Sequence, residues 1–229
     1  ELLDGPLDDP AALTANLRDL ALLNRLTFGA RLSSGAIAAL GGAETVLDVG
    51  TGGADIPLAL LAAAHRAGRP LAVTGVDSRP EVLAAARAAR PSLARVAGLE
   101  LAVADGRSLP FPDGAFDVAH ASLVLHHLER DEAVAFLREM TRVARRGIVV
   151  NDLVRSRLAW AGAWVLVRAL LMSRYTRHDG PLSIRRAWSR AEMVELLGAA
   201  GLEVVAVKAG PLGHRIAIAA RRAGRGAGA

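Results

Sequence analysis

The stretch that decides the fold is residues 45–60, TVLDVGTGGADIPLAL. Its first five residues form a short apolar run with β-branched side chains, which is typical of a buried parallel strand. Three glycines then fall within positions 50–53, and an apolar run rich in Ala and Leu follows with Pro57 near its start. That second run predicts a helix. A strand, a glycine turn and a helix direct backbone N–H groups and a helix N-terminus at a ligand, so the stretch predicts a binding site.

The rest of the chain alternates between strand and helix patterns. Strands are predicted at 71–77, 99–105, 116–122 and 147–152, and helices at 79–89, 130–144 and 190–200. Ser78 with Glu81, and Ser189 with Glu192, match capping boxes, and Gly201 ends the last helix. Two final apolar runs joined by GPLG predict an antiparallel hairpin. The pattern predicts an α/β fold, namely a doubly wound, seven-stranded, mostly parallel sheet with a terminal antiparallel hairpin.

Composition narrows the classes of function. The 229 residues are 52% hydrophobic and include no Cys, so the chain folds without disulfides, thiolate metal sites or a cysteine nucleophile. No metal site is expected. The acidic N-terminal segment lacks a signal-peptide pattern, which predicts a cytoplasmic location. The net charge of +5 includes Arg221, Arg222 and Arg225 in a predicted flexible tail, and no aromatic residues are interleaved with the arginines. This favours a solvated surface over nucleic-acid binding.

The glycine turn does not match a dinucleotide-binding fingerprint. Gly50 and Gly52 fit the first two positions of G-x-G-x-x-G, but the third position is Asp55. A glycine is needed there for close packing of helix and strand. The sequence therefore disfavours NAD.

Carboxylates end three successive predicted strands, at Asp48, Asp77 and Asp105. The carboxyl ends of parallel strands meet at one edge of the sheet, where ligands bind in open α/β folds. Three carboxylates repel a pyrophosphate, but they suit a ribose and an exocyclic amine. Each alone is compatible with a helix cap; together they favour a ligand that has a ribose and no phosphate.

Four ordered stretches resemble the motifs of class I S-adenosylmethionine-dependent methyltransferases. They are VLDVGTGGADIPLAL, VTGVDSRPEVLAAAR, VADGRSLPFPDGAFDVAHASLVLHHL and FLREMTRVARRGIVVND. LLNRLTFGARLS is similar to the N-terminal helix of the branch that contains quinone-biosynthesis enzymes. NDLVRSRLAW and RHDGPLS resemble bacterial members often encoded beside type III polyketide synthases. The resemblance implies a helical cap (1–44), a methyltransferase domain (45–220) with a lid insertion (153–189), and a flexible basic tail (221–229).

The resemblance also implies residue roles around S-adenosylmethionine and its product S-adenosylhomocysteine. In the family, the glycine turn passes under the methionine part of the cofactor, the second strand end holds the ribose, the third accepts from the adenine amine, and the fourth faces the reacting methyl. The residues that match the glycine turn are Gly50, Thr51 and Gly52, with Asp48 close to it. Asp77 matches the residue that holds the ribose, and Ser78 the residue that flanks the adenine. Asp105 matches the acceptor from the adenine amine, with Gly106 beside it, and Ala121 and Ser122 match the residues that face the methyl group. Ala54 departs from the glycine that many members have there.

Histidines are the candidate general bases, because methylation of a phenol can require removal of its proton near neutral pH. His126 and His127 follow the fourth strand, close to the expected methyl position, where packing or capping is the competing explanation. His178 precedes Asp179 in a predicted loop that contains Gly180, and the pair could form an oriented base.

The predicted lid supplies the candidate acceptor pocket. Trp160 and Trp164 recur at helical spacing in LAWAGAWVLVRALLM, which is too short and too charged for a membrane span. They form either a core stripe or, with Arg25 and Phe28 of the N-terminal helix, the wall of an apolar pocket. The same basic, apolar helix is compatible with peripheral membrane contact.

The resulting hypothesis is a methyltransferase acting on a small aromatic, phenolic, quinol or polyketide-type acceptor, at oxygen. Alternatives are C-methylation of a quinol, an RNA or protein methyltransferase, and a non-catalytic cofactor-binding module. The fourth strand lacks the Asn/Asp-Pro-Pro-aromatic motif of the family's base-amine enzymes, which counts against RNA. The sequence leaves the acceptor identity and the oligomeric state open.

Overall fold

A seven-stranded sheet forms the centre of the computed structural model, which describes Gly5 and residues 9–224. The strand order is β3-β2-β1-β4-β5-β7-β6. The strands are β1 (Thr45–Val49), β2 (Ala72–Asp77), β3 (Leu99–Val103), β4 (Phe116–Ser122), β5 (Ala144–Leu153), β6 (Leu202–Ala209) and β7 (Arg215–Arg222). Strands β1 to β5 run parallel, and β7 is antiparallel to both of its neighbours. The predicted sheet and its terminal hairpin are therefore confirmed.

Eight α-helices surround the sheet in the described part of the chain. They are α1 (Pro10–Leu26), α2 (Gly29–Ala39), α3 (Asp55–Arg66), α4 (Pro80–Ala89), α5 (Arg130–Val143), α6 (Arg157–Ala169), α7 (Arg174–Arg186) and α8 (Arg190–Ala199). The core cluster on one face of the sheet includes α5 and α8, and the cluster on the other face includes α2 and α3. Each fully buried Leu or Val side chain contributes about 1.5–3 kcal/mol to folding.

Local sequence accounts for most helix starts. Asp9 caps α1 because its Oδ1 accepts from the backbone N–H groups of residues 11 and 12. The predicted Ser189–Glu192 capping box begins α8. The predicted Ser78–Glu81 box is absent: Arg79 is the N-cap of α4, and its N–H donates to Asp77 instead. A competing local hydrogen bond thus replaces the box.

The C-terminal strand extends further than predicted. Arg221 and Arg222 belong to β7, where Arg221 pairs with Glu203 of β6 and Arg222 donates to the carbonyl of Thr141. Ladder hydrogen bonds and these side-chain contacts hold both arginines in the sheet. Arg225 lies outside the described residues.

The segment 153–189 contains two helices rather than one helix and a loop. The prediction of a loop around His178 is wrong, because that residue lies within α7 together with Pro181. Ser173 caps this helix, and Thr176 in its first turn donates to Asp19 of α1 at 2.7 Å. Tertiary contacts therefore override the loop signal of Gly and Pro. Among the described helices, none is long and apolar enough to cross a membrane.

Candidate active site

The glycine turn after β1 has a backbone that few side chains would tolerate. Gly50 and Gly52 adopt φ of 74° and 52°, in the left-handed region. A Cβ at Gly50 would collide with Val124. Ala54 reaches φ 57° immediately before α3, where an L-residue costs about 1–2 kcal/mol relative to the right-handed region. The backbone conformation of the turn therefore explains why glycine occupies positions 50 and 52.

Asp77 connects the end of β2 to the glycine turn. Its Oδ2 accepts from the N–H of Gly52 at 3.0 Å and its Oδ1 accepts from the N–H of Arg79 at 3.1 Å. Burial raises the pKa of Asp77 above its usual range, although both N–H donors act in the opposite direction. Neighbouring Ser78 is exposed. A carboxylate with spare lone pairs is thus held at the edge where the sequence predicts the ribose.

Asp105 and Gly106 follow β3. Asp105 is exposed and pairs with Arg107 at 3.0 Å, and the hydrogen bonds from Arg107 lower the pKa of Asp105. A Cβ on Gly106 would lie 2.6 Å from the ring of Phe136 and 2.7 Å from Val49. Gly106 is therefore required by the packing of β1 against α5, and Asp105 already has a cationic partner.

Asp48 has a structural partner that sequence reasoning did not identify. Its Oδ1 lies 2.5 Å from Nδ1 of His120 on β4, and Nε2 of the same ring lies 2.7 Å from Oγ of Ser33. All three side chains are buried. Thr51 is also turned inward, because a Cβ at Gly75 would lie 2.6 Å from its Oγ1. That Oγ1 is buried with no hydrogen-bond partner in the part of the chain that the structure describes.

A cavity of about 390 Å³ opens beyond the carboxyl ends of β4 and β5. One face of helix α1 forms part of the wall, and a face of small and aliphatic residues on α6 forms another part. The lining residues of these helices include Asn16, Leu20 and Leu23 on α1 and Ala159, Gly162, Ala163, Leu166 and Val167 on α6. The wall is mainly apolar, with a few polar groups, which is the usual character of a small-molecule site.

A His–Asp pair forms part of the cavity wall. His126 is 5% exposed and lines the cavity. Its Nδ1 lies 2.7 Å from Oδ1 of Asp152, the penultimate residue of β5, and its backbone N–H donates to Oδ2 of the same carboxylate at 3.3 Å. Burial opposes ionisation of Asp152, but the charge and hydrogen bond of His126 lower the pKa of Asp152 below its usual value. An ionised Asp152 can only accept, so the hydrogen of this contact is on Nδ1 of His126.

His127 also lines this wall, with its ring centroid 4.2 Å from that of His126. Ala121 is buried at the end of β4, and the Oγ of Ser122 accepts from Arg215 at 2.8 Å. The end of the fourth strand therefore lies beside the cavity, since Arg215, which lines the cavity, donates to Ser122.

Five predicted acceptor residues lie outside the cavity wall. Trp160 and Trp164 are 38% and 44% exposed on the outer face of α6, because the inner face consists of residues at 159, 162, 163 and 166. Arg25 and Phe28 are also exposed and do not line the cavity. His178 contacts Asp179 at 2.7 Å as predicted, but its side chain is 56% exposed and only Asp179 reaches the cavity. The structure therefore does not place these five side chains on the wall of this cavity, and their contact with an acceptor stays a prediction.

Sequence reasoning missed two polar residues of the wall, Asn16 and Arg215, and the buried carboxylate of Asp152 behind it. Asp152 ends an apolar strand, the signal that identified Asp48 and Asp77, and was detectable in the same way. Arg215 is a lone charge at the start of an apolar strand. Asn16 carries no sequence signal, yet it is buried and its Oδ1 has no hydrogen-bond partner among the described residues.

Comparison with known proteins gives a consistent result. Residues 47–150 match the family model described as a methyltransferase domain. The chain is 36% identical over 116 residues to phosphatidylethanolamine N-methyltransferase of Cereibacter sphaeroides, which covers 49% of this chain and 52% of that protein. It is 32% identical over 108 residues to the ubiquinone/menaquinone biosynthesis C-methyltransferase UbiE of Geobacter sp. (strain M21), covering 47% of this chain and 44% of that protein. The chain thus spans about half the length of these relatives.

A solved structure extends the fold similarity to nearly the whole chain. The O-methyltransferase NcsB1 from neocarzinostatin biosynthesis was crystallised with S-adenosylhomocysteine and 1,4-dihydroxy-2-naphthoic acid. It superposes with a TM-score of 0.67 at 21% identity, covering 94% of this chain and 59% of that one. The sheet therefore has the Rossmann-like methyltransferase fold, and residues 47–150 are the part of the chain that is similar to a methyltransferase domain.

Proposed function

We propose that this chain transfers a methyl group from S-adenosylmethionine to an ionisable oxygen of a small aromatic acceptor bound in the 390 Å³ cavity. The observation that carries the proposal is a buried His–Asp pair: His126 lines the cavity, and its Nδ1 lies 2.7 Å from Oδ1 of Asp152, which is fully buried behind it. A base is useful for an acceptor that must lose a proton, such as a phenol or a quinol.

S-adenosylmethionine supplies an activated methyl group on sulfur, so the protein's task is mainly to align the acceptor and manage its proton. In its neutral form His126 would take the proton of the acceptor hydroxyl at Nε2, and the sulfonium would supply the methyl group to that oxygen. Asp152 keeps Nδ1 protonated and stabilises the imidazolium that results. The mainly apolar wall excludes water around the reacting pair.

The cofactor is proposed to lie across the carboxyl ends of β1 to β4. The backbone of Gly50, Thr51 and Gly52 would pass beneath its methionine part, since the side chain of Thr51 is turned into the sheet. Asp77 would accept from the ribose hydroxyls, and Asp105 from the adenine amine once Arg107 shares or releases it. Position 50 accommodates only a glycine, because its φ is positive and a Cβ there would collide with Val124, and this supports the placement.

Four further residues complete the proposed cofactor site. Ser78 would flank the adenine and the backbone of Gly106 would lie beside it. Ala121 and Ser122 would face the methyl group at the mouth of the cavity. Asp48 would lie below the turn and support it from there, held in place by its hydrogen bond with His120.

Cavity size and lining support a flat, largely apolar acceptor of the phenolic, quinol or polyketide type. The α1 residues Asn16 and Leu23 are seven positions apart, so that wall extends roughly 10 Å at 1.5 Å per residue. The 1,4-dihydroxy-2-naphthoic acid that was crystallised with NcsB1 is a flat phenolic molecule of this kind. C-methylation of a quinol is the second candidate, because the relative UbiE is named a C-methyltransferase of ubiquinone/menaquinone biosynthesis and because a quinol also presents an acidic hydroxyl.

The outer face of α6 supports an additional proposal of peripheral membrane contact. Trp160, Trp164 and Val165 are exposed there, and Leu171 just beyond the helix is 84% exposed. Arg168 stacks over Trp164 at 4.0 Å and places a cation beside this apolar surface. Exposed aromatic and aliphatic side chains next to a cation suit a membrane interface.

The proposed function is tested by calorimetry with S-adenosylhomocysteine, followed by a panel of phenols, naphthols and quinols scored by mass spectrometry for a gain of one methyl group. We expect cofactor binding, no NAD binding, and methylation at oxygen. Cofactor binding without turnover of any phenol or quinol would favour the non-catalytic alternative. Methyl transfer to RNA or protein would replace the small-acceptor proposal.

A further inference from the structure

Arg215 is a buried cation in the cavity wall. It is the first residue of β7, is 1% exposed, and lines the cavity near Ser122. Its guanidinium packs against the backbone of Gly29, where a Cβ would lie 2.8 Å from the central carbon. Burial lowers the pKa of Arg215 to about 10, which still leaves it cationic at neutral pH.

The direct hydrogen bonds of Arg215 all go to neutral oxygens. Nε donates to Oδ1 of Asn151 at 2.7 Å, and Nη1 donates to Asn24 and to Thr27 at 2.5 and 2.9 Å. Nη2 donates to Ser122 at 2.8 Å. A guanidinium has five N–H donors, so one on Nη2 has no partner among residues that the structure describes.

No carboxylate in the described ranges, Gly5 and 9–224, lies within 4 Å of Arg215. Asp152 and Asp55 act on its charge from farther away. Asp152 is bonded to His126, and Asp55 accepts from Asn24 at 2.8 Å. Burying a cation without a close counter-ion is unfavourable, because hydrogen bonds to neutral oxygens replace only part of the lost hydration. An anion entering the cavity would supply the missing interaction.

Resting on the proposed function, we propose that Arg215 binds a negatively charged oxygen of the acceptor through the remaining N–H on Nη2. The acceptor class is thereby narrowed to aromatic acids and to phenols or enols that bind ionised. Since Nη2 also holds Ser122 at the end of β4, the bound anion lies beside the strand end next to His126. The charge of Arg215 would then select the acceptor, while His126 manages the proton.

The test compares two probes that differ mainly in charge. Calorimetry on the wild-type protein saturated with S-adenosylhomocysteine measures binding of 2-naphthoate and of its neutral isostere 2-naphthamide. We expect naphthoate to bind at least about tenfold more tightly, as a charge-assisted hydrogen bond requires. A third arm measures 2-naphthol at about pH 7 and about pH 9, because at the higher pH part of the phenol is ionised while Arg215, with a pKa of about 10, is still mostly cationic. Tighter binding only at the higher pH identifies the ionised ring oxygen as the ligand, and tight binding of naphthoate identifies a carboxylate.

Variants separate recognition from structure. Arg215→Gln removes the charge and should abolish the preference for naphthoate, whereas Arg215→Lys should keep a reduced preference. Arg221→Gln, on the same strand but paired with Glu203, is the matched control and should leave the preference unchanged. If Arg215→Gln does not fold, the wild-type and Arg215→Lys results decide.

Two results overturn the inference. One is equal binding of naphthoate and naphthamide to the wild-type protein with no gain for ionised naphthol. The other is a folded Arg215→Gln variant that still prefers naphthoate, which would make Arg215 a purely structural hub. If the wild-type protein still binds S-adenosylhomocysteine and methylates a phenol, either result leaves the proposed function standing. If the wild-type protein does not bind S-adenosylhomocysteine, the proposed function itself is contradicted.

Discussion

Asp152→Asn is the most informative perturbation of the proposed mechanism. The substitution keeps the shape of the side chain and an oxygen for the N–H of Leu153, which donates to Oδ1 at 2.7 Å. It removes the charge that holds the proton of His126 on Nδ1. General-base catalysis contributes about 10²–10⁴-fold, so we expect kcat to fall by that factor, or about 2.7–5.4 kcal/mol of transition-state stabilisation. Affinity for S-adenosylhomocysteine should stay within a few fold.

The pH dependence provides a second measurement on the same variant. Without the carboxylate the imidazolium is less favoured, so the acidic limb of the pH–rate profile should move to lower pH. The effect of the substitution on the free energy of unfolding also depends on pH. The pKa of Asp152 is lower in the folded protein than the usual 3.8, so its contribution to folding is present above that pH and is lost as the pH falls below it. The gap in free energy of unfolding between wild type and variant, about 1.5–3 kcal/mol near neutral pH, should therefore shrink below about pH 4.

The assay follows S-adenosylhomocysteine release with a phenolic acceptor from the panel. Asp113→Asn is the control, since that carboxylate is 77% exposed and pairs with Arg142 at the surface. His126→Ala and the double variant with Asp152→Asn should be equally slow, because the two residues act as a unit. A kcat for Asp152→Asn within about threefold of wild type, or losses that multiply in the double variant, would refute the pair as the base.

Three further substitutions examine other parts of the site. Asp77→Ala should weaken S-adenosylhomocysteine binding by about 1.5–3 kcal/mol in calorimetry, and an unchanged affinity would locate the ribose elsewhere. Asn16→Leu removes a buried carbonyl oxygen without a partner and also the 3.1 Å hydrogen bond from Nδ2 to Thr176, so its effects on Tm oppose each other and KM is the informative measurement; KM for a hydroxylated acceptor should rise, and an unchanged KM would mean that this oxygen does not contact the acceptor. Trp164→Ala should leave cofactor affinity and KM within about twofold but reduce sedimentation with anionic vesicles, and a selective rise in KM would contradict its position on the outer face.

Much of the sheet edge that holds the proposed cofactor site was predictable from short stretches. The glycine turn after β1, the strand end at Asp77 and the whole of β4 occur where the residue pattern predicts them. These features depend on interactions a few residues apart: strand periodicity, left-handed glycines and helix caps. Parallel pairing then brings separate strand ends to one edge without any knowledge of side-chain contacts.

The α6–α7 segment shows where local signals failed. Gly180 and Pro181 predict a loop, but α7 continues through both because its first turn is bound to α1. The helical spacing of Trp160 and Trp164 correctly places them on one face of a helix, yet it contains no information on which face the cavity occupies. That choice depends on how α6 packs against distant elements.

The fold class and the strand ends proposed to bind the cofactor were predictable from residue patterns, because both depend on residues close together along the chain. The residues of the acceptor side of the site could be identified only in the folded protein. His126 is oriented by a carboxylate 26 positions away, and Arg215 is held by α1, β4 and β5 through bonds spanning up to 191 positions. A buried charge is defined by what surrounds it in space, so its partners, its missing partner and the cavity beside it exist only once the chain has folded.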